Sequence, residues 1–554
     1  MQLSPSAHRD TFARDHLPPE EQSPTLEFTL PELQFPQRLN AATALVDRAV
    51  EEFGAAQPCL LTPSGERWTY GEVQRRANQV AQVLTEDLGI VPGQRVLLRS
   101  PNNPWAVVCW LGGLKAGAVV VTTMHAFRAS ELEPIVARCR PVLALCDHRF
   151  AEDARQVRQK GHDDLRVVEF GGGGADDMVA RADAKSGAFT DVETAADDVA
   201  LLCPTSGSTG VPKLTMHFHR DLVAIDETFG RHVLRLRADD VVACTAPLAF
   251  TFGLGMLVVF PFRAGASVLL IEKATPVELA RLAGQHGVTA VATAPTAYRA
   301  ILAEGREAEM RSLRTAVSAG EHLPRATWEA FRERTGVGII DGIGSTEMLH
   351  IFIGCSGDDI RPGSTGRPVP GYRATILDDD GNELAPGELG RLAVIGPTGC
   401  RYLDDPRQAN YISGGWNLTG DTFIRDEDGY FHYQARNDSM IVSSGYNIGG
   451  PEVEAAVGEH PDVVECGVVG KPDEDRGSVV CAFVVLREGV AGDDAKRREI
   501  QDFVKSRIAP YKYPRDVRFV DSLPRNPSGK LQHFRLREQI TRPAPVVEQA
   551  GGAR

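Results

Sequence analysis

Two periods of apolar residues alternate along this chain. Val73, Ala77, Val80, Ala81 and Leu84 recur at helical spacing, and the run Arg95-Val96-Leu97-Leu98 that follows has the apolar character of a buried strand. The alternation returns through Trp110-Leu111 to residues 118–121, then to residues 142–145. Further apolar runs at 241–244 and 267–271 flank a long apolar segment, 250–262, and two more stand at 288–292 and 315–318. Helices and buried strands in repeated alternation predict an α/β body with largely parallel strands, continuing to about Tyr433. Beyond it the pattern changes. Residues 463–469 and 479–486 read as strands, and Ile500, Phe503, Val504 and Ile508 form a helical stripe, which predicts a smaller α+β unit.

The two ends depart from this pattern. Residues 1–37 carry Pro18, Pro19, Pro24, Pro31 and Pro36, which suits an extended arm lying along the body better than a helix. Residues 542–554 are rich in Pro, Ala and Gly and read as a disordered tail. A chain of 554 residues exceeds one hydrophobic core, so two or more domains are expected. A net charge of −14 argues against a nonspecific nucleic-acid or anionic-membrane binder. Ten cysteines stand singly with no Cys-x-x-Cys pair, which points to reduced thiols and away from a zinc site or a disulfide framework. With no basic-then-apolar leader and no apolar run of membrane length, the expectation is a cytoplasmic protein.

Chemistry enters at Thr205-Ser206-Gly207-Ser208-Thr209-Gly210-Val211-Pro212-Lys213. Hydroxyls and amides there can donate to an anion, the glycines allow close backbone approach, and the lysine adds a point charge. A surface turn has a similar composition. It is not a Walker loop, because Pro212 separates Gly210 from Lys213 and Leu214 follows. The string resembles the phosphate loop of the adenylate-forming superfamily, which includes acyl-CoA and aryl-CoA synthetases, peptide-synthetase adenylation domains and beetle luciferases.

Four further islands resemble that superfamily in its order, so the likeness covers roughly residues 40–540. In Asp341-Gly342-Ile343-Gly344-Ser345-Thr346-Glu347, the resemblance makes Glu347 a magnesium ligand and Thr346 a phosphate contact, with Gly342 beside the nucleotide. Ile343 stands where the family often has an aromatic residue against adenine. Thr419-Gly420-Asp421 resembles the element whose aspartate takes the ribose hydroxyls, and Ser318-Ala319-Gly320-Glu321 the adenine turn, so Gly320, Glu321 and Asp421 become nucleotide contacts. The stretch from Ala435 to Ile448 resembles the hinge and first loop of a mobile C-terminal domain. Arg436 is then a ribose or phosphate contact and Asp438 the pivot, a reading that the order of the islands favours over a surface ion pair. Ser444, Gly445 and Tyr446 would line the CoA path, while Val442 and Ser439 depart from the family pattern. Pro524 to Leu531 resembles the loop of the catalytic lysine, Lys530, and Lys512 becomes a candidate CoA phosphate contact.

The resemblance implies a large N-terminal domain, 38–434, of αβα layers around a parallel sheet plus a distorted barrel. It also implies a hinge at 435–438 and a small mobile α+β domain at 439–541. Phe250, Thr251, Phe252, Thr293, Gly344, Leu349 and His350 would wall the acyl group, and two phenylalanines beside small glycines suit a flat ring. His350 and Thr251 either bond an ortho substituent or are simply packed. The implied activity is ATP-dependent, AMP-forming ligation of an aromatic carboxylate to coenzyme A, closest to the benzoate and 2-aminobenzoate ligases. Its requirements are ATP, Mg2+ and CoA. The alternatives are a medium-chain fatty acid as substrate or a carrier-protein thiol as acceptor. No nucleic-acid or membrane partner is expected, the protein is read as a monomer or homodimer, and Lys530 is a candidate for regulation by acetylation.

Overall fold

The structure is a computed structural model that describes residues 3–205, 212–273, 275–320, 323, 325–436, 440–524, 531 and 533–541. The chain divides into two compact units, one ending at Asn437 and the other running from Asp438. Among the described residues no helix is long and apolar enough to cross a membrane.

Two sheets form the frame of the larger unit. In the first, strands Arg166–Phe170, Leu143–Asp147, Arg95–Arg99, Val119–Thr123 and Val199–Thr205 lie parallel in that order, and Lys213–Phe218 folds back antiparallel on the last. In the second, Ile339–Gly344, Thr315–Ser318, Ala290–Thr293, Val241–Cys244, Ser267–Leu269 and Pro58–Leu61 run parallel, with antiparallel strands at each edge. Strands covered on both faces leave continuous apolar runs, which is why these were legible as runs and not as alternations. Helix Pro104–Lys115 is buried along nearly its whole circumference and shares one core with residues of both sheets, such as Val96, Val120, Val242 and Val268. A helix apolar all round has to be enclosed. Asn103 caps it by accepting from the Ala106 amide at 2.9 Å, and Pro104 occupies its first turn. Helices on the outer faces, Ala129–Cys139 against the first sheet and Pro276–His286 against the second, complete the layers. A third, antiparallel sheet of five strands spans Arg373–Leu377 to Phe431–Arg436.

The arm is mostly extended, with a short helix, Phe12–Asp15, that the prolines alone did not predict. It is tied to the body of its unit along its length. The Ser4 and Ala7 amides donate to Asp197 and Asp198, the Asp10 amide to the Pro92 carbonyl, and Leu26 bridges Gly396. The smaller unit packs a three-stranded sheet, Val463–Asp473, Gly477–Leu486 and Asp516–Phe519, against helix Asp494–Arg507, whose Ile500 and Val504 enter the core as the helical stripe requires.

Candidate active site

Parallel strands of α/β sheets present ligands at their carboxyl ends, and the candidate residues of the larger unit gather there. Thr293 and Ser318 end neighbouring strands and register side by side with Asp341 of the next, Ile339–Gly344, which runs on past them. The Thr293 hydroxyl bonds Thr245 at 2.7 Å, and Gly320, at φ 90, turns the chain out of the Ser318 strand. On the first sheet, Thr205 and Lys213 face each other across the mouth of the hairpin that carries the proposed phosphate loop. Ser206, Gly207, Ser208, Thr209, Glu321, Asp438, Lys530 and the side chain of Arg436 lie outside the described residues.

Glu347 is nearly sealed from water at 7% exposure, yet stays charged. Burial works to raise its carboxyl, but the Lys213 ammonium and the Tyr402 hydroxyl outweigh it and hold the group below the ordinary carboxylate value. Lys213 Nζ lies 3.4 Å from Glu347 Oε1 and donates to the Tyr402 hydroxyl at 2.6 Å; that hydroxyl donates to the same Oε1 at 2.5 Å. The ammonium also sits 4.5 Å from the Tyr402 ring centroid. Neither Tyr402 nor Tyr411 was legible as part of the site. Tyr411 bonds Ser345 at 3.4 Å, and its phenol is pushed well up by burial and then by the Glu347 carboxylate, with Asp421 a smaller contributor, so the candidate metal and ribose carboxylates both lie near it.

The turn that presents Glu347 is over-determined. His217 Nε2 bonds the Thr346 carbonyl at 2.8 Å, and because a carbonyl only accepts, that nitrogen carries the proton. The Ser345 hydroxyl accepts from the Met348 amide, and Thr398 donates to the Met348 carbonyl at 2.8 Å. This holds Leu349 at φ 70, a left-handed conformation that costs a side-chain-bearing residue about 1–2 kcal/mol. Gly342 and Gly344 have a structural reason of their own. A Cβ at Gly342 would lie 2.7 Å from the Ile351 side chain, and one at Gly344 2.6 Å from the His350 carbonyl oxygen.

His350 follows directly and is enclosed in rings. It stacks on Phe252 at 5.5 Å, meets Phe260 edge-on at 4.6 Å and lies 5.4 Å from Phe229. Among the described residues neither ring nitrogen makes a hydrogen bond of normal geometry, and burial, opposed only by the Phe252 backbone, lowers its pKa to about 3. Of the two roles open to His350, the structure displays the packed wall. Thr251 is buried at the start of the short helix Thr251–Leu254, while Phe250 and Phe252 remain partly exposed.

In the smaller unit, Ser444 and Gly445 form a two-residue hairpin turn between Ser443 and Tyr446, at φ 48 and 80. Positive φ at both positions is what such a turn requires, so Gly445 is needed by the backbone whatever passes beside it. Tyr446 stacks on Tyr511 at 4.2 Å. Lys512 is buried at 4% exposure and its ammonium bonds Glu452 at 2.7 Å inside the unit. His460, Asp462 and Glu499 also cluster as metal ligands could, but Lys496 already lies 2.6 Å from each carboxylate.

Residues 42–401 match the AMP-binding enzyme family and residues 452–530 its C-terminal domain. The benzoate–CoA ligase of Thauera aromatica is 36% identical over 520 residues, covering 92% of this chain and 98% of its own. An anthranilate CoA ligase, AuaEII, whose crystal structure holds anthranoyl-AMP, superposes with a TM-score of 0.72 at 33% identity, covering 92% of this chain and 99% of its own. A benzoate CoA ligase from Burkholderia xenovorans LB400 gives 0.68 at 31% identity, covering 90% and 99%. Ligases of this kind use ATP, Mg2+ and CoA. A buried carboxylate held ionised, as Glu347 is, is the donor a hard divalent cation takes. The chain belongs to the AMP-binding enzyme family and is an AMP-forming acid–thiol ligase of the acyl- and aryl-CoA type.

Proposed function

We propose that this ligase activates an aromatic carboxylate, 2-aminobenzoate or benzoate, and transfers it to coenzyme A. The carboxylate oxygen attacks the α-phosphorus of ATP, the bond to pyrophosphate breaks, and an acyl-adenylate forms. The CoA sulfur then attacks the acyl carbon and AMP leaves. Thr205 to Lys213 would hold the phosphates, Asp421 the ribose hydroxyls and Gly320 to Glu321 the adenine. Glu347 would hold magnesium, which supplies positive charge against the phosphates. Lys530 would reach the reacting carboxylate and α-phosphate, where a cation offsets charge developing in displacement. Rotation about Asp438 would exchange it for the CoA path at Gly445.

The observation that carries the aromatic reading is the enclosure of His350 by Phe229, Phe252 and Phe260. Ring-on-ring contact suits a rigid flat acid, which has little rotamer freedom to lose on binding. The benzoate and anthranilate ligases among its relatives support the same reading. The test is AMP release over benzoate, 2-aminobenzoate, hydroxybenzoates and octanoate, with and without CoA. The benzoates are expected to give the higher kcat/KM, and octanoate exceeding all of them would overturn the reading.

A further inference from the structure

Tyr402 falls in none of the motifs that define the site, yet it touches both charged groups at its centre. Its one proton is committed to Glu347 Oε1 at 2.5 Å, and its oxygen accepts from Lys213 Nζ at 2.6 Å. Lysine is a flexible chain with a mobile point charge, and a buried carboxylate without a donor carries its full desolvation cost. One hydroxyl addresses both. Burial and the neighbouring Glu347 charge push the Tyr402 phenol well above its ordinary value, so it remains a neutral donor.

The backbone beneath that hydroxyl is fixed from two directions. Tyr402 bridges Thr215, and Leu403 and Arg401 bond Leu214 and Met216, which ties the segment to the strand that begins at Lys213. From the other side, the Tyr402 amide donates to the side-chain oxygen of Gln408 at 2.9 Å. The Gln408 amide in turn donates to the carbonyls of Cys400 at 3.0 Å and Gln22 at 2.8 Å. Gln22 belongs to the proline-rich arm, and Gln408 is almost fully buried.

We propose that Tyr402 is the positioning residue of this site: its hydroxyl aims the Glu347 carboxylate and holds Lys213 against it before nucleotide arrives, while the arm, through Gln22 and Gln408, fixes the backbone it acts from. The proposal rests on the reading of Glu347 and Lys213 as magnesium and phosphate contacts. The variant is Tyr402→Phe, which keeps the ring against Tyr411 and Lys213 and removes one hydroxyl. Two measurements are made: calorimetric MgATP binding without acid substrate, and the separate KM values for ATP and for benzoate in pyrophosphate release. Loss of a charge-assisted hydrogen bond predicts roughly tenfold weaker MgATP binding. KM for ATP in pyrophosphate release rises in step with the calorimetric value, while KM for the acid is unchanged. A Tyr402→Phe protein with wild-type MgATP affinity overturns the proposal. So does one whose KM values for ATP and for benzoate rise equally together with a fall in melting temperature, which is the mark of structural damage alone. Gln408→Leu is expected to act in the same direction and more weakly; a lowered melting temperature with no change in MgATP binding removes the arm from the arrangement. Failure of the wild-type protein to release pyrophosphate with any acid would instead refute the functional reading, and MgATP calorimetry would still report on Tyr402.

Discussion

Glu347 and His350 stand three residues apart on one turn and are almost equally buried, at 7% and 2% exposure, yet the protein treats them in opposite ways. Both have lowered pKa values. For the carboxyl this means a retained charge, because Lys213 and Tyr402 outweigh burial; for the imidazole it means a lost one, because burial meets only the faces and edges of phenylalanine rings. Burial alone therefore decides nothing about charge. The partner within reach decides, and it divides the turn into an end that keeps a charge and an end that excludes one.

The sharpest way to break this comparison is to remove the charge. Glu347→Gln is expected to lower pyrophosphate release by about 10²–10³-fold, by analogy with loss of a single electrostatic group at a phosphoryl or acyl centre, and to raise the magnesium requirement. An unchanged magnesium dependence would exclude the carboxylate as a metal contact. Next in size is Gly255→Ala, which attacks the other end. Its Cβ would sit 2.4 Å from the His350 ring, itself held by Phe229, Phe252 and Phe260, so the ring must shift. Overpacking of this kind costs about 1–3 kcal/mol, readable as a lower melting temperature together with a raised KM for benzoate and an unaltered KM for ATP. Equal changes in both KM values would show that the two ends are not separable.

The smallest expected effect concerns pH. His350 has a folded pKa of about 3 against 6.5 unfolded, so below 6.5 the unfolded chain takes up a proton that the folded one refuses. Its neutral burial costs no stability above pH 7 and progressively more as pH falls from 6.5 towards 3. By linkage this one group removes about 1 kcal/mol between pH 7.5 and 5.5. His350→Leu is expected to flatten the acid-side fall in melting temperature by that amount, because no hydrogen bond is lost with the ring. The same variant sharpens the substrate question: a KM raised for 2-aminobenzoate but not for benzoate would identify the imidazole as a contact to the ortho group.

Much of the frame was legible because strands covered on both faces are unbroken apolar runs. Arg95–Arg99 and Thr315–Ser318 were found that way, and the edges of Val119–Thr123 and Ala290–Thr293 missed by one or two residues, since periodicity does not mark where pairing stops. The motif residues Lys213 and Glu347 were legible as chemistry. Their partner was not, because Tyr402 lies in an irregular stretch with no period and reaches them through a bridge to Thr215, nearly two hundred residues earlier. Lys512 shows the reverse limit. A lysine in a turn shows its charge in the sequence but not the glutamate sixty residues away that neutralises it. Gly344 and Gly445 illustrate a third limit, since a glycine that makes room for a ligand and one demanded by its own hairpin read alike.

Leu349, held left-handed between Glu347 and His350, bears on how such a ligase can diversify. A relaxed loop could drift and carry the acid-binding end to new shapes while leaving the nucleotide end in place. A strained turn pinned through Thr346 and Met348 cannot, because any slide that relieves Leu349 also displaces the Glu347 carboxylate two residues before it. On the proposed reading, new acid preferences would be expected through exchange of Phe229, Phe252 or Phe260, which surround His350 from other elements, with the turn itself kept constant.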